Sequence, residues 1–346
     1  MVLGNAAILL AGLILLVKGS DYFVKAASTI AKKLGVSEFV IGLTLVAVGT
    51  SIPELASSVA ASLQQASGIV IGNVVGSNIA NIALIVGLAA ALSPVKTAPE
   101  MLRRDGYIML FAALLFFAFA FNEALSRPEA AVFVLLYVAY VFFLFEERPT
   151  NKGRFYFKEF ITYFVKFEYV NSMKQKINSA SRNRNSDLSE EQALARKSLG
   201  KDFLTLFAGA AAVILGARYF VEQSIFFAQL LEIPDTIIGT TLVAVGTSLP
   251  ELMVTVSAAR NGYGSIALGN VIGSNITNIF LILGVSGLLF PIAVEEISIF
   301  LTAPFMIFIS TVLLVFIATG WEIKRWEGIA LAVLYAVFLV VLLQMT

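Results

Sequence analysis

The stretch Thr44-Leu45-Val46-Ala47-Val48-Gly49-Thr50-Ser51-Ile52-Pro53-Glu54 returns 197 residues later as Thr241-Leu242-Val243-Ala244-Val245-Gly246-Thr247-Ser248-Leu249-Pro250-Glu251. The match extends outward. From Gly42 to Gly87, 27 of 46 positions are identical at that offset. Gly72-Asn73-Val74-Val75-Gly76-Ser77-Asn78-Ile79 lies over Gly269-Asn270-Val271-Ile272-Gly273-Ser274-Asn275-Ile276, and Gly19 to Val24 lies over Gly216 to Val221. Shared apolar composition does not conserve Pro, Glu, Asn and Gly in register. The chain is a duplication, and its halves align without a gap.

Each copy is built for lipid. Of 346 residues, 58% are hydrophobic and only 14% charged, against roughly 45–50% and about 25% in soluble domains. Apolar stretches fall near 3–24, 38–62, 69–94, 106–125 and 129–145, then near 203–223, 235–259, 266–291, 298–319 and 326–344. A membrane helix needs about 20 such residues, so the expected fold is all-α and integral to the membrane, with ten transmembrane helices. The first stretch has no basic start and recurs in the second half, which marks a retained span rather than a signal peptide. The domains expected are a first five-helix repeat (1–145), a loop (146–202) and a second five-helix repeat (203–346). Five is odd, so the second repeat enters the membrane upside down, a design that places a site at the bilayer midplane.

Basic residues set the orientation. With the N-terminus outside, the inner loops hold Lys25, Lys32, Lys33, Lys96, Arg103, Arg104, Arg260, Lys324 and Arg325, and the outer loops hold Arg127 alone. The basic interval 146–202 also falls inside. The expectation is a multi-pass protein of the cell membrane, with both termini extracellular and the central loop cytoplasmic. Its run Phe155 to Ile177 reads either as an amphipathic segment on the anionic inner leaflet or as a solvated basic linker. Ser179 to Glu191 reads as disordered.

The chain has no His and no Cys. Soft-metal sites, haem, iron–sulfur clusters and disulfides are thereby disfavoured or excluded, as are nucleophile pairs that need His or Cys. No cofactor and no nucleic-acid partner is expected, and the chain is not an enzyme. Oxygen ligands remain, and they suit hard cations.

Glu54 and Glu251 are the carboxylates deep in the apolar stretches. An ionisable group at that depth costs several kcal/mol unless it is paired or lines a wet cavity, and no Lys or Arg is near either one in sequence. Thr50 and Ser51 precede Glu54 by four and three residues and share its helix face. Pro53 cannot donate to the carbonyl of Gly49, so the helix opens and frees carbonyls around Gly49 and Thr50. Thr247, Ser248 and Pro250 repeat this beside Glu251. Calcium takes six to eight oxygens, and two Glu with loosened carbonyls and water fit that demand; two or three sodium ions fit nearly as well. A second set is Ser77, Asn78 and Asn81 with Ser274, Asn275 and Asn278. It reads as ligands or site lining, while Gly72/Gly76 and Gly269/Gly273 read as surfaces for close helix packing.

With its doubled GTS-x-PE and GN-x-x-GSN blocks, the chain resembles the sodium/calcium exchangers of the cation/calcium antiporter superfamily. The resemblance implies ten helices, a cytoplasmic central loop, and one site bound in alternation by Ca2+ and Na+. It implies calcium ligands at Glu54, Glu251 and the carbonyls of Thr50 and Thr247. It implies sodium sites drawing on Ser51, Ser77, Ser248, Ser274, both Glu residues and the carbonyls of Ala47 and Ala244, with Asn81 and Asn278 flanking the centre. Asn278 stands where some relatives carry Asp, which argues against potassium co-transport. Calcium/proton exchange on the same carboxylates is the alternative, and a cation channel is a more remote one. Exchange of three sodium ions for one calcium, again implied by the resemblance, moves one net charge and couples transport to voltage by about 2.3 kcal/mol per 100 mV.

Overall fold

The computed structural model describes residues 2–145, 156–170, 172, 190–231 and 246–345. These residues are nearly all helical: α1 (Val2–Leu34), α2 (Glu38–Thr50), α3 (Ile52–Leu63), α4 (Ser67–Leu92), α5 (Tyr107–Ala120), α6 (Arg127–Leu144) and α7 (Tyr156–Val165). Then come α8 (Glu190–Leu230), α9 (Leu249–Arg260), α10 (Gly264–Leu289), α11 (Ser298–Ala318) and α12 (Arg325–Met345). Among the described residues seven helices are long and apolar enough to cross a membrane, and the bent pair α2–α3 makes an eighth. Two of the ten expected spans are not among them. α5 is only 14 residues long and follows a π-helical turn, Met101–Gly106, that carries Arg103, Arg104 and Asp105. The stretch preceding α9, residues 232–245, lies outside the described residues.

α4 and α10 form the buried centre, and almost every residue of α10 from Ile266 to Asn278 is shielded. α1 and α8 pack together at the periphery. At Gly12 a Cβ would sit 2.9 Å from the backbone nitrogen of Phe220, so the two backbones touch where a side chain cannot fit.

Four two-residue strands tie the halves to each other. β1 (Val95–Lys96) pairs antiparallel with β4 (Glu322–Ile323), and β2 (Ala124–Leu125) with β3 (Ile292–Ala293). These pairings sort the connections onto two faces. One face holds β1, β4, the turn before Gly264, which approaches Lys96, and the end of α1, where Lys33 bonds Ser198 and Asp202 of α8. The other holds β2, β3 and Ser67, whose hydroxyl accepts the Ala293 N–H at 3.1 Å.

The halves do not align without a gap. Gln65 and Gly262, both at positive φ, keep the 197 spacing, but the positive-φ pair Glu123 and Trp321 lies one residue further apart. So do the helix-start caps, in which Glu129 accepts the Ser126 N–H and Glu327 accepts the Lys324 N–H. The extra residue lies outside the motif region, near the far end of α11, where it changes no site register.

Within the central interval, α7 is an amphipathic helix with one face seated on the protein. Phe160 and Tyr163 are fully buried, their rings edge-on and tilted at 5.6 Å from that of Phe143, while Phe157 meets Phe111 at 5.5 Å. Rings that bury this much area hold a short helix on the ends of α5 and α6. α8 begins at Glu190, inside the interval expected to be loop, so Glu190 and Glu191 are helical. The rest of Ser179 to Glu191, and Phe155 and most of 171–177, lie outside the described residues.

Candidate functional site

The break at Pro53 is where the sequence places it. α2 and α3 meet at 48°. The backbone ladder steps from the Ser51 N–H on the Ala47 carbonyl (3.0 Å) to the Leu55 N–H on the Ser51 carbonyl (3.0 Å). Between them Pro53 offers no donor, so the Gly49 carbonyl loses its helical partner. In the second half Gly246 is helical, Thr247 and Ser248 form a turn, and α9 restarts at Leu249, with the Leu252 N–H on the Ser248 carbonyl at 3.0 Å. Each restart puts Pro at the second helical position and Glu at the third.

Both Glu54 and Glu251 are 1% exposed. Ser51 crosses between the halves: its hydroxyl donates to Glu251 Oε1 at 3.1 Å and lies 3.2 Å from the Ser274 hydroxyl. The mirrored link joins Ser248 to Ser77 at 3.3 Å. One turn along α4 and α10 from these serines stand Asn81 and Asn278. The structure therefore brings Ser51, Ser248, Ser77 and Ser274 together around the two glutamates, with Asn81 and Asn278 one turn away. Thr50 is buried and bonds Asn270 Oδ1 at 3.1 Å, and Thr247 is half-buried at the turn. The Ala47 carbonyl accepts from both the Ser51 N–H and the Thr50 hydroxyl (3.2 Å). Ala244 lies outside the described residues.

Among the described residues, five shielded oxygens of this cluster have no hydrogen-bond partner: both of Glu54, Oε2 of Glu251, Oδ1 of Asn81 and Oδ1 of Asn278. All are acceptors. A buried polar atom left unpaired costs about 1–3 kcal/mol, more if charged, and native interiors hold few of them. Among the described residues no Lys or Arg forms an ion pair with either glutamate. Five acceptors without a donor among the described residues, and no positive charge paired to them, make a place suited to a cation.

Several supporting residues were not singled out from the sequence. Asn73 donates to the Glu54 carbonyl (3.1 Å) and the Ser58 hydroxyl (2.7 Å); Asn270 does the same to the Glu251 carbonyl (3.5 Å) and Thr255 (3.0 Å). They lock the helix after each glutamate onto α4 or α10. Asn73 and Asn270 stand in the repeated block, and a doubled polar residue in an apolar helix was the available signal. π-helical turns at Ala80–Val86 and Asn278–Leu283 widen the helices at Asn81 and Asn278. Such bulges cluster at functional sites, and no residue pattern announces them. The packing role of Gly269 and Gly273 holds, since added Cβ atoms would sit 2.7 Å from the Phe39 carbonyl oxygen and 2.6 Å from that of Leu43. The residues that would meet Gly72 and Gly76 by the same offset, 236 and 240, lie outside the described residues.

Comparison with known proteins agrees with this geometry. The family described as "Sodium/calcium exchanger protein" matches twice, over residues 4–146 and 201–344. The chain is 70% identical to the sodium/calcium exchanger MaX1 of Methanosarcina acetivorans, over 99% of each chain. It is 32% identical to the inner membrane protein YrbG of Escherichia coli, over 84% of this chain and 82% of that one. Among solved structures it superposes on the sodium-calcium exchanger NCX_Mj, soaked with Na+ and Ca2+, with a TM-score of 0.76 and 32% identity over 97% of this chain and 98% of the other. The fold is that of a multi-pass membrane transporter, not an enzyme. The chain belongs to the sodium/calcium exchanger family.

Proposed function

We propose that the chain exchanges Ca2+ for Na+ across the cell membrane by alternating access, with both ions competing for one midplane site. The observation that carries this reading is the set of five unpartnered acceptor oxygens on Glu54, Glu251, Asn81 and Asn278. Calcium takes both glutamates and the carbonyls of Thr50 and Thr247 beside the two helix breaks, and water completes its shell of six to eight oxygens. Two carboxylates balance its double charge. Sodium takes the same two glutamates, joined by the hydroxyls of Ser51, Ser77, Ser248 and Ser274 and by the carbonyls of Ala47 and Ala244, with Asn81 and Asn278 flanking the centre. A site empty of cation leaves two facing carboxylates unneutralised, so only the loaded site lets the halves exchange access.

The architecture in this reading is ten helices as two inverted five-helix repeats, 1–145 and 203–346, joined by the segment 146–202. α5 and the span completed by α9 bring the eight apolar spans to ten. Both termini face outward and the central segment faces the cytoplasm.

Calcium flux in liposomes containing the purified protein tests it. Calcium uptake driven by an outward sodium gradient, and accelerated by a membrane potential, is expected. Uptake that ignores sodium and follows a pH gradient would instead assign proton exchange to the same carboxylates, and a leak needing no counter-ion would make the protein a channel.

A further inference from the structure

Resting on the reading of one cation site between the repeats, we infer that Met109 and Met306 are positioning residues for it. Their thioethers stand at the far ends of two relays that aim the side-chain oxygens of Asn81 and Asn278 at the ion.

Each relay runs from a helix outside the site to the site itself. Asn275 of α10 donates its side-chain amide to Met109 Sδ of α5 at 3.6 Å. Its Oδ1 accepts the Asn81 amide at 3.1 Å, and Asn81 Oδ1 is one of the five oxygens without a donor. Asn78 of α4 donates to Met306 Sδ of α11 at 3.6 Å. Its Oδ1 accepts the Asn278 amide at 2.9 Å, and Asn278 Oδ1 is another of the five. All six residues are 1% exposed, so bulk water does not orient the amides.

An amide side chain has a donor end and an acceptor end, and turning it over exchanges them. A thioether only accepts. The Asn275 nitrogen must therefore face Met109, which turns its oxygen toward Asn81. Asn81 answers with its nitrogen, and its own oxygen is left for the cation. The sense set at the sulfur thus passes through two amides. Asn275 and Asn78 also donate to each other's backbone carbonyls, at 3.4 and 3.3 Å. Those bonds are longer than the usual N–H···O range, so the sulfur supplies a second hold on each amide. Without it, one amide hydrogen is stranded in the interior.

The repeat separates this role from packing. Of seven methionines, only Met109 and Met306 are related by the 197 offset. Around them the apolar residues have changed: Ile108 answers to Phe305, Leu110 to Ile307 and Ala112 to Ile309. Met fills irregular gaps and tolerates substitution. A thioether kept in register while its apolar neighbours change size is explained by what its sulfur accepts. The asparagines of both relays repeat at the same offset.

Leu replaces Met at similar volume and offers no acceptor. In Met109→Leu the half-saturating Ca2+ concentration, read by calorimetric titration of the purified protein, is expected to rise about fivefold. Met306→Leu is expected to behave alike. The relays also predict a crossed pattern. In an Asn81→Ala background, Met109→Leu is expected to change affinity by less than about twofold, because the oxygen it aims is gone. In an Asn278→Ala background it is expected to keep its full effect. Met306→Leu reverses the pattern. Loosened packing would weaken binding equally in both backgrounds. Equal losses in the two backgrounds, or parental affinity in both Met→Leu variants, overturn the proposal. Whether the parent binds Ca2+ tests the site reading by itself. The relays are read from ratios among variants, equally well with Na+ as the titrant.

Discussion

Asn78 and Asn275 each donate a side-chain amide to the other's backbone carbonyl, at 3.3 and 3.4 Å, where the two central helices cross. Their remaining side-chain oxygens take the amides of Asn278 (2.9 Å) and Asn81 (3.1 Å). With its nitrogen held this way, each flanking Asn keeps its oxygen unpartnered, as a ligand requires. Asn78→Ala removes the acceptor that orients Asn278. We expect the half-saturating Ca2+ concentration to rise about tenfold, with about 1–3 kcal/mol lost from the fold for the stranded amide. Calorimetric titration and thermal melts check the two effects separately.

Glu54→Gln keeps the shape of the side chain and removes one of two charges. Transport is expected to fall to background, and the rise in melting temperature that calcium gives the parent protein is expected to vanish, since a ligand stabilises only the state that binds it. Glu251→Gln should behave alike. Retention of a calcium-dependent melting shift in both variants would remove the two glutamates from the site.

Pro53→Ala restores a donor opposite the Gly49 carbonyl and favours a straighter α2–α3. An affinity loss of roughly tenfold is expected with little loss of stability, because the missing helical bond, worth about 1 kcal/mol net, is regained. Equilibrium calcium binding decides it.

Gly273→Ala places a methyl 2.6 Å from the Leu43 carbonyl oxygen, which backbone cannot yield cheaply. Overpacking of this kind costs about 1–3 kcal/mol, so the melting temperature in detergent is expected to drop by several degrees, with or without calcium.

Phe160→Ala with Tyr163→Ala empties the aromatic seat of α7. Each truncation removes about 3–5 kcal/mol of local packing, and the segment is expected to become readily cleaved by protease. Exchange should persist, because α7 touches neither glutamate.

The repeat, the two glutamates and the helix breaks were legible because each was written twice, and chemistry that recurs in apolar surroundings has no packing explanation. The bend at Pro53 follows from one missing N–H. The features that escaped reading are those with no local signature. The π-helical turns at Asn81 and Asn278 have no residue pattern that announces them, and the seat of α7 arises from rings far apart in sequence. The bonds that Ser257 and Asn261 donate to the Asp21 carboxylate escaped for the opposite reason: they are written once, and attention to what repeats passes over what does not.

The small strand pairs have a consequence for biosynthesis. Among the described residues β1 pairs with β4 and β2 with β3, so neither half completes these strand pairs by itself. A ribosome that has released the first half into the bilayer has produced an unfinished body, with two open edges and one glutamate awaiting its twin. Maturation must wait for the chain's last hundred residues, and the halves, alike as they are, are obliged to be made together.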